Sequence, residues 1–119
     1  MKYDAIPELS REQIEAVVKR NHAEELLVAV LAASLHSEGP VWAEGLCVSL
    51  AANPDPRVRG NAVLGLGHIA RLHRVLTSQS RAIVEASLAD PSELVRGQAD
   101  AARDDLRQFL KTADETEGA

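Results

Sequence analysis

The stretch DPRVRGNAVLGLGHI, residues 55–69, decides the fold. Asp55 is a suitable helix cap, and Pro56 has the fixed φ that suits the first helical position. The apolar residues that follow form one helical stripe: Val58, Ala62, Leu66 or Gly65, Ile69 and Leu72. Glycines at 60, 65 and 67 each cost ~1 kcal/mol relative to alanine, which favours close approach of a neighbouring helix. The stretch therefore predicts a helix over 56–73 packed between others.

Part of this stretch recurs 37 residues later. Residues 58–62 (VRGNA) match residues 95–99 (VRGQA), and Ile69 matches Leu106 at the same offset. Ser-Leu-Ala precedes both copies, at 49–51 and 87–89, and each is followed by an Asp-Pro start. Self-similarity at this period is typical of helical solenoids.

Helix signals recur along the rest of the chain. Ser10 and Gln13 have the spacing of a capping box, which predicts a helix over 10–20. Asn21 is a candidate cap for a second helix over 22–36, and Thr77 or Ser78 starts another over 78–89. Proline-containing breaks predict helices over 40–52 and 91–111. We predict an all-α domain over residues 1–111, followed by a polar, disordered tail over 112–119.

Composition supports a helical domain. The chain has 119 residues, 45% hydrophobic and 26% charged, with three aromatic residues. A core of Ala, Leu, Val and Ile suits close helix packing. One cysteine, Cys47, excludes an internal disulfide. The longest apolar run, 26–33, is too short to cross a bilayer, and acidic residues interrupt the amino-terminal segment, so we expect a cytoplasmic protein without a membrane partner.

Charge is distributed in three blocks. Residues 1–55 and 85–119 each carry nine acidic and four basic residues, whereas residues 56–84 carry five arginines and no acid. The total is −5. Affinity for nucleic acid comes mainly from neutralising phosphates, so an acidic chain is not expected to bind it.

No catalytic constellation emerges from the sequence. His68 and His73 are five residues apart and point to different sides of a helix, so they cannot chelate a metal together. The Gly65–Gly67 segment lies inside a helix with no preceding strand, which excludes a dinucleotide loop. Cys47 lies among apolar residues and is expected to be buried and inert. We predict no enzyme activity, no cofactor, no metal and no small-molecule substrate.

Residues 55–69 resemble the first helix of a bacterial HEAT repeat, which reads Asp-Pro, Val-Arg, Ala, Ala-Leu-Gly and a final Ile or Leu. The match is weaker over 90–106, where Arg103-Asp104-Asp105 replaces the Leu-Gly step. The resemblance implies a short right-handed α-solenoid of about six helices. Its pairs would be 22–36 with 40–52 and 56–73 with 78–89, capped by 91–111, with 10–20 covering the front.

Candidate binding residues follow in part from this resemblance. In HEAT-like stacks the second helix of each pair lines the concave surface, which implies that Glu44, Ser49, Arg81 and Glu85 face a partner. Trp42 either anchors a partner or covers the open end of the stack. The carboxylates of Asp100, Asp104 and Asp105 either pair with a basic partner or form a solvated face with neighbouring arginines.

The whole chain is similar to small helical-repeat immunity proteins encoded beside bacterial toxins, including those of contact-dependent growth inhibition. The resemblance rests on size, on DPRVRG with LGHI, and on DDLRQFL over 104–110. It implies a protein partner, a basic toxin domain such as a nuclease, whose active site the chain covers. Two alternatives remain: a HEAT-type scaffold or lyase-like helper of a larger enzyme, and a nucleic-acid-binding HEAT protein. Net charge −5 and three aromatic residues disfavour the last.

Overall fold

The computed structural model describes residues 6–37 and 39–110, and six helices account for most of them. They are α1 (Arg11–Arg20), α2 (Ala23–His36), α3 (Pro40–Leu50), α4 (Pro56–His73), α5 (Ser78–Ser87) and α6 (Glu93–Phe109). Neither range contains a strand. The predicted all-α class is confirmed. The predicted tail, 112–119, lies outside the described residues.

Three helix starts follow from local sequence as predicted. The Ser10 hydroxyl accepts a hydrogen bond from the Gln13 backbone N–H at 3.1 Å, and the Gln13 side chain accepts one from the Ser10 N–H at 2.7 Å. Asp55 caps α4 by accepting from the Arg57 N–H at 2.9 Å. Thr77 caps α5. These bonds satisfy backbone donors that a helix start leaves open.

Two predicted starts are wrong. Asn21 ends α1 in the left-handed conformation, with φ 56°, and His22 rather than Asn21 precedes α2. Ser92 caps α6 in place of Asp90, whose carboxylate binds Arg59 of α4 and accepts from the Ser92 backbone N–H. Helices α3, α5 and α6 also end about two residues earlier than predicted.

Helix α4 is the centre of the molecule. It packs against α2, α3, α5 and α6, while α2 and α6 have no contact with each other within the described ranges. Helices α3 and α5 also contact one another, and α1 packs on α2. The contacts therefore follow two rows, α2–α4–α6 and α3–α5. The predicted solenoid and its handedness stay a prediction.

The apolar stripe of α4 forms much of the core. Val58, Ala62, Leu66 and Ile69 are fully buried, whereas Leu72, predicted to continue the stripe, is 44% exposed. The predicted close approach of another helix backbone occurs at Gly67, where an added β-carbon would lie 2.8 Å from the Ala102 α-carbon of α6. At Gly60 and Gly65 the prediction is wrong, because the nearest groups there are side chains, of Gln98 and of Cys47 and Ser34.

Candidate partner-binding surfaces

Trp42 lies at the junction of α1 and α3. Its half-buried ring packs against the core, and the Arg11 guanidinium stacks over it at 4.9 Å from the ring centre. Two open cavities border the ring, one of about 560 Å³ towards the segment before α1 and one of about 440 Å³ between α1 and α3. The indole thus covers the core at this end of the molecule and still reaches an open surface.

The outer side of α3 carries apolar groups that none of the other five described helices covers. Val41 is 84% exposed, and a β-carbon added at Gly45 would meet no atom of residues 6–37 or 39–110 within 4 Å. Gly45 borders the groove between α1 and α3 and also the smaller groove between α3 and α5. We call the surface formed by Val18, Val41, Trp42, Gly45 and Val48 the α3 face.

The α3 face was only partly predicted from the sequence. Trp42 was singled out, but Val41, Gly45 and Val48 were not. Positions 41, 45 and 48 share one helix face, and a glycine inside a helix costs stability unless its lack of a side chain serves a contact. An interior glycine on the same helix face as two valines is therefore the signal that the sequence offers. In the structure, no described residue comes within 4 Å of a β-carbon added at Gly45.

Glu44 does not point outward as expected. Its side chain is buried, with 9% of the residue exposed, and one carboxylate oxygen accepts hydrogen bonds from the backbone N–H and hydroxyl of Thr77 and from the hydroxyl of Ser80. The start of α5 supplies all three donors, and a helix start favours a nearby negative charge. Glu44 therefore fastens α5 to α3.

The other candidates on α3 and α5 differ in exposure. Ser49 and Glu85 are exposed, and their role in binding a partner stays a prediction. Arg81 is half-buried, and its Nε donates to the Leu76 carbonyl at 3.4 Å.

The three candidate carboxylates of α6 do not form one group. Asp100 and Asp104 are exposed on the outer side, and Asp100 pairs with Arg103 at 2.8 Å. Asp105 is half-buried against α4, with its carboxylate close to Gly67. Burial raises the pKa of Asp105, with Arg71 opposing the shift. Asp105 therefore belongs to the α4–α6 contact, which the helical pattern alone did not distinguish.

The buried titratable groups suit packing rather than catalysis. Burial chiefly, with a contribution from Arg71, lowers the pKa of His68 to about 4, and its Nδ1 lies 3.3 Å from an Arg71 guanidinium nitrogen. Burial and the nearby Glu44 raise the pKa of the Cys47 thiol to about 12. Nucleophilic cysteines need the opposite shift.

Two further properties concern the described ranges only. Within 6–37 and 39–110, no group of three or more His, Cys, Asp or Glu side chains is arranged to hold a metal ion. None of the six described helices combines the length and apolar character needed to cross a membrane.

A solved structure has the same fold as this chain. No protein-family model matches the chain, and no curated protein matches it with significance. Its structure is similar to a chain in the crystal structure of a CDI complex from Cupriavidus taiwanensis LMG 19424, with a TM-score of 0.80 and 24% identity. The match covers 93% of this chain and 99% of that one. At the level of the fold, the resemblance to proteins of contact-dependent growth inhibition is confirmed.

Proposed function

We propose that this chain is an immunity protein that binds a cognate bacterial toxin and blocks it. The observation that carries the proposal is the fold shared, over nearly the full length of both chains, with a member of a CDI complex. Within this proposal the chain corresponds to the immunity member, acts in the cytoplasm and inhibits without chemistry of its own. Its helix rows form a short right-handed HEAT-like stack.

The α3 face is the proposed docking surface for the toxin. Val41 and Gly45 leave apolar area open, and Trp42 borders both the groove between α1 and α3 and the cavity towards the segment before α1. Uncovered apolar area of this kind marks interaction surfaces, and Trp is enriched among residues that dominate binding energy. Ser49 and Glu85, both exposed, supply polar groups on α3 and α5.

The toxin in this proposal carries a basic site, as a nuclease does. Asp100 and Asp104 present carboxylates on the outer side of α6, and the chain as a whole is acidic. A negative field accelerates the approach of a positively charged partner, and covering a phosphate-binding site prevents nucleic acid from reaching it.

The direct test is binding to a toxin domain encoded beside this gene, which the proposal predicts. The purified chain and that domain are mixed and analysed by isothermal titration calorimetry, with a non-cognate toxin domain as the control. We expect a tight complex with the cognate domain only, loss of the toxin's activity in vitro, and protection of cells that express it. A folded chain that neither binds nor protects contradicts the proposal, and a neighbouring metabolic operon would then favour the helper function.

A further inference from the structure

The sequence repeat is reproduced in the contacts of two arginines. Arg59 Nη1 donates to the backbone carbonyls of Asn53 and Pro54, at 3.0 and 3.3 Å. Arg96 Nη1 donates to the carbonyls of Asp90 and Pro91, at 2.8 and 3.2 Å. Donors and acceptors are each displaced by the same 37 residues. Each arginine therefore folds back in the same way onto the loop before its own helix.

On α4, the remaining guanidinium nitrogens of Arg59 bind the loop that precedes α6. Arg59 Nε and Nη2 each donate to a carboxylate oxygen of Asp90 at 2.8 Å, and both side chains are largely buried. Beside it, the missing side chain of Gly60 leaves the space that Gln98 fills, and the Gln98 amide donates to Asn61 at 2.8 Å. On α4, therefore, Arg59 binds the carboxylate of Asp90, and Gly60 leaves room for α6, the helix that follows this carboxylate.

On α6, the corresponding arginine and glycine, Arg96 and Gly97, have no such neighbour among the described residues. Within the described part of the chain, Arg96 Nε and Nη2 make no hydrogen bond, and Arg96 is exposed. A β-carbon at Gly97 would meet no atom within 4 Å. Leu94, half a turn earlier, is 50% exposed. We name Leu94, Arg96 and Gly97 the α6 docking site.

The α6 docking site covers only the beginning of α6. Gly67, where α4 admits the backbone of α6, corresponds in the repeat to Asp104. An aspartate side chain at that point keeps a second helix backbone from coming equally close. The surface therefore suits the start of a helix and the loop before it, and not a complete packed helix.

We infer that the α6 docking site binds a partner protein through a carboxylate in the loop just before one of the partner's helices. The arginine fork suits two parallel hydrogen bonds to a carboxylate, and the occupied site on α4 shows which chemistry this arrangement selects. The inference rests on the proposed function only for the partner's identity, a toxin. It adds a second contact, cationic and separate from the α3 face.

A peptide probe tests the α6 docking site without the toxin. The peptide comprises residues 88–101 of this chain, which include Asp90, and an Arg96→Lys replacement linked to Asp100 by a lactam holds it helical. It is titrated into the ¹⁵N-labelled full chain by NMR. We expect saturable shifts centred on residues 94–101, and affinity at least about tenfold weaker for the peptide with Asp90→Asn, as the loss of a charge-assisted pair implies.

Two protein variants complete the test. Gly97→Leu fills the open space without touching the α4–α6 contact, so it should unfold at the parent's temperature or slightly above it and lose the peptide. Arg96→Gln should weaken the peptide to the same degree as Asp90→Asn in the peptide. Shifts confined to other surfaces, or binding unchanged by Asp90→Asn or by Gly97→Leu, would overturn the inference. Because the probe contains no toxin, this result is independent of whether the chain binds one.

Discussion

Gly67 of α4 and Ala102 of α6 are so close that a β-carbon at position 67 would lie 2.8 Å from the Ala102 α-carbon. Carbon atoms in favourable contact are about 3.5–4.0 Å apart, so no side chain fits there without moving a helix. The contact between α4 and α6 therefore depends on the absence of a side chain at this position.

Gly67→Ala is expected to destabilise the protein. Overpacking costs about 1–3 kcal/mol, which outweighs the gain of at most about 1 kcal/mol from replacing a helical glycine. Gly45→Ala is the matched control, because the added methyl group enters open space on α3 and should raise stability. The free energy of unfolding in urea measures both effects. Equal stabilisation by the two substitutions would show that the helices can separate at no cost.

Glu44→Ala is expected to lower stability by about 2 kcal/mol, because Thr77 and Ser80 lose a charged acceptor and Ser80 is fully buried. Glu85→Ala, at an exposed carboxylate on α5, serves as the control and should change stability by less than about 0.5 kcal/mol. Urea unfolding of both variants measures the difference. A Glu44 variant as stable as the control would show that these hydrogen bonds do not hold α5 against α3.

Local signals explain why much of the fold was predictable. The capping box at Ser10 and the Asp-Pro start at position 55 act within three residues, and both are present. The close approach at Gly67 was predictable because a helix accepts the cost of an interior glycine where a neighbour requires it.

Long-range contacts explain what the sequence did not reveal. Asp90 has the pattern of a helix cap, but Arg59, 31 residues earlier, binds its carboxylate. Glu44 has the pattern of a surface residue until Thr77 and Ser80 are folded against it. In both cases a polar group found its partner in another helix, and helical periodicity carries no information about that partner.

His68 predicts a stability that depends on pH. Its pKa is lowered to about 4 in the folded chain, against ~6.5 for an unperturbed histidine. Between these values the unfolded chain binds more protons, so stability rises with pH. The contribution is complete above pH ~6.5 and is lost as the pH falls towards 4, by at most about 3 kcal/mol. The raised pKa of Asp105 acts in the opposite direction, because the folded chain takes up that proton first.

Urea unfolding at pH 7.5 and pH 5 measures this dependence. The parent should be less stable at pH 5, and His68→Gln should lose most of the difference because glutamine does not titrate in this range. His22→Gln, at an exposed histidine before α2, should behave as the parent does. If His68→Gln and the parent lose equal stability on acidification, another group is responsible.

The proposed toxin complex predicts separate effects on association and dissociation. Reversing Asp100 and Asp104 to Lys should slow association about tenfold at low salt, since both lie on the outer side of α6. Asp105 is left unchanged because it is packed against α4. Trp42→Ala should instead accelerate dissociation about 30-fold, the effect of losing one dominant anchor. Surface plasmon resonance measures both rates, and Leu72→Ala, at an exposed apolar residue of α4, is the control.

Ionic strength distinguishes steering from docking in this complex. At physiological salt the field of a surface charge reaches only ~8 Å, so the association rate of the parent should fall as salt is added, while the Asp100 and Asp104 reversal should be less sensitive. Trp42→Ala should keep the parent's salt dependence, because the indole carries no charge. An association rate that does not change with salt would remove the role of the acidic residues. The arginines of residues 56–84 would then favour an acidic partner instead.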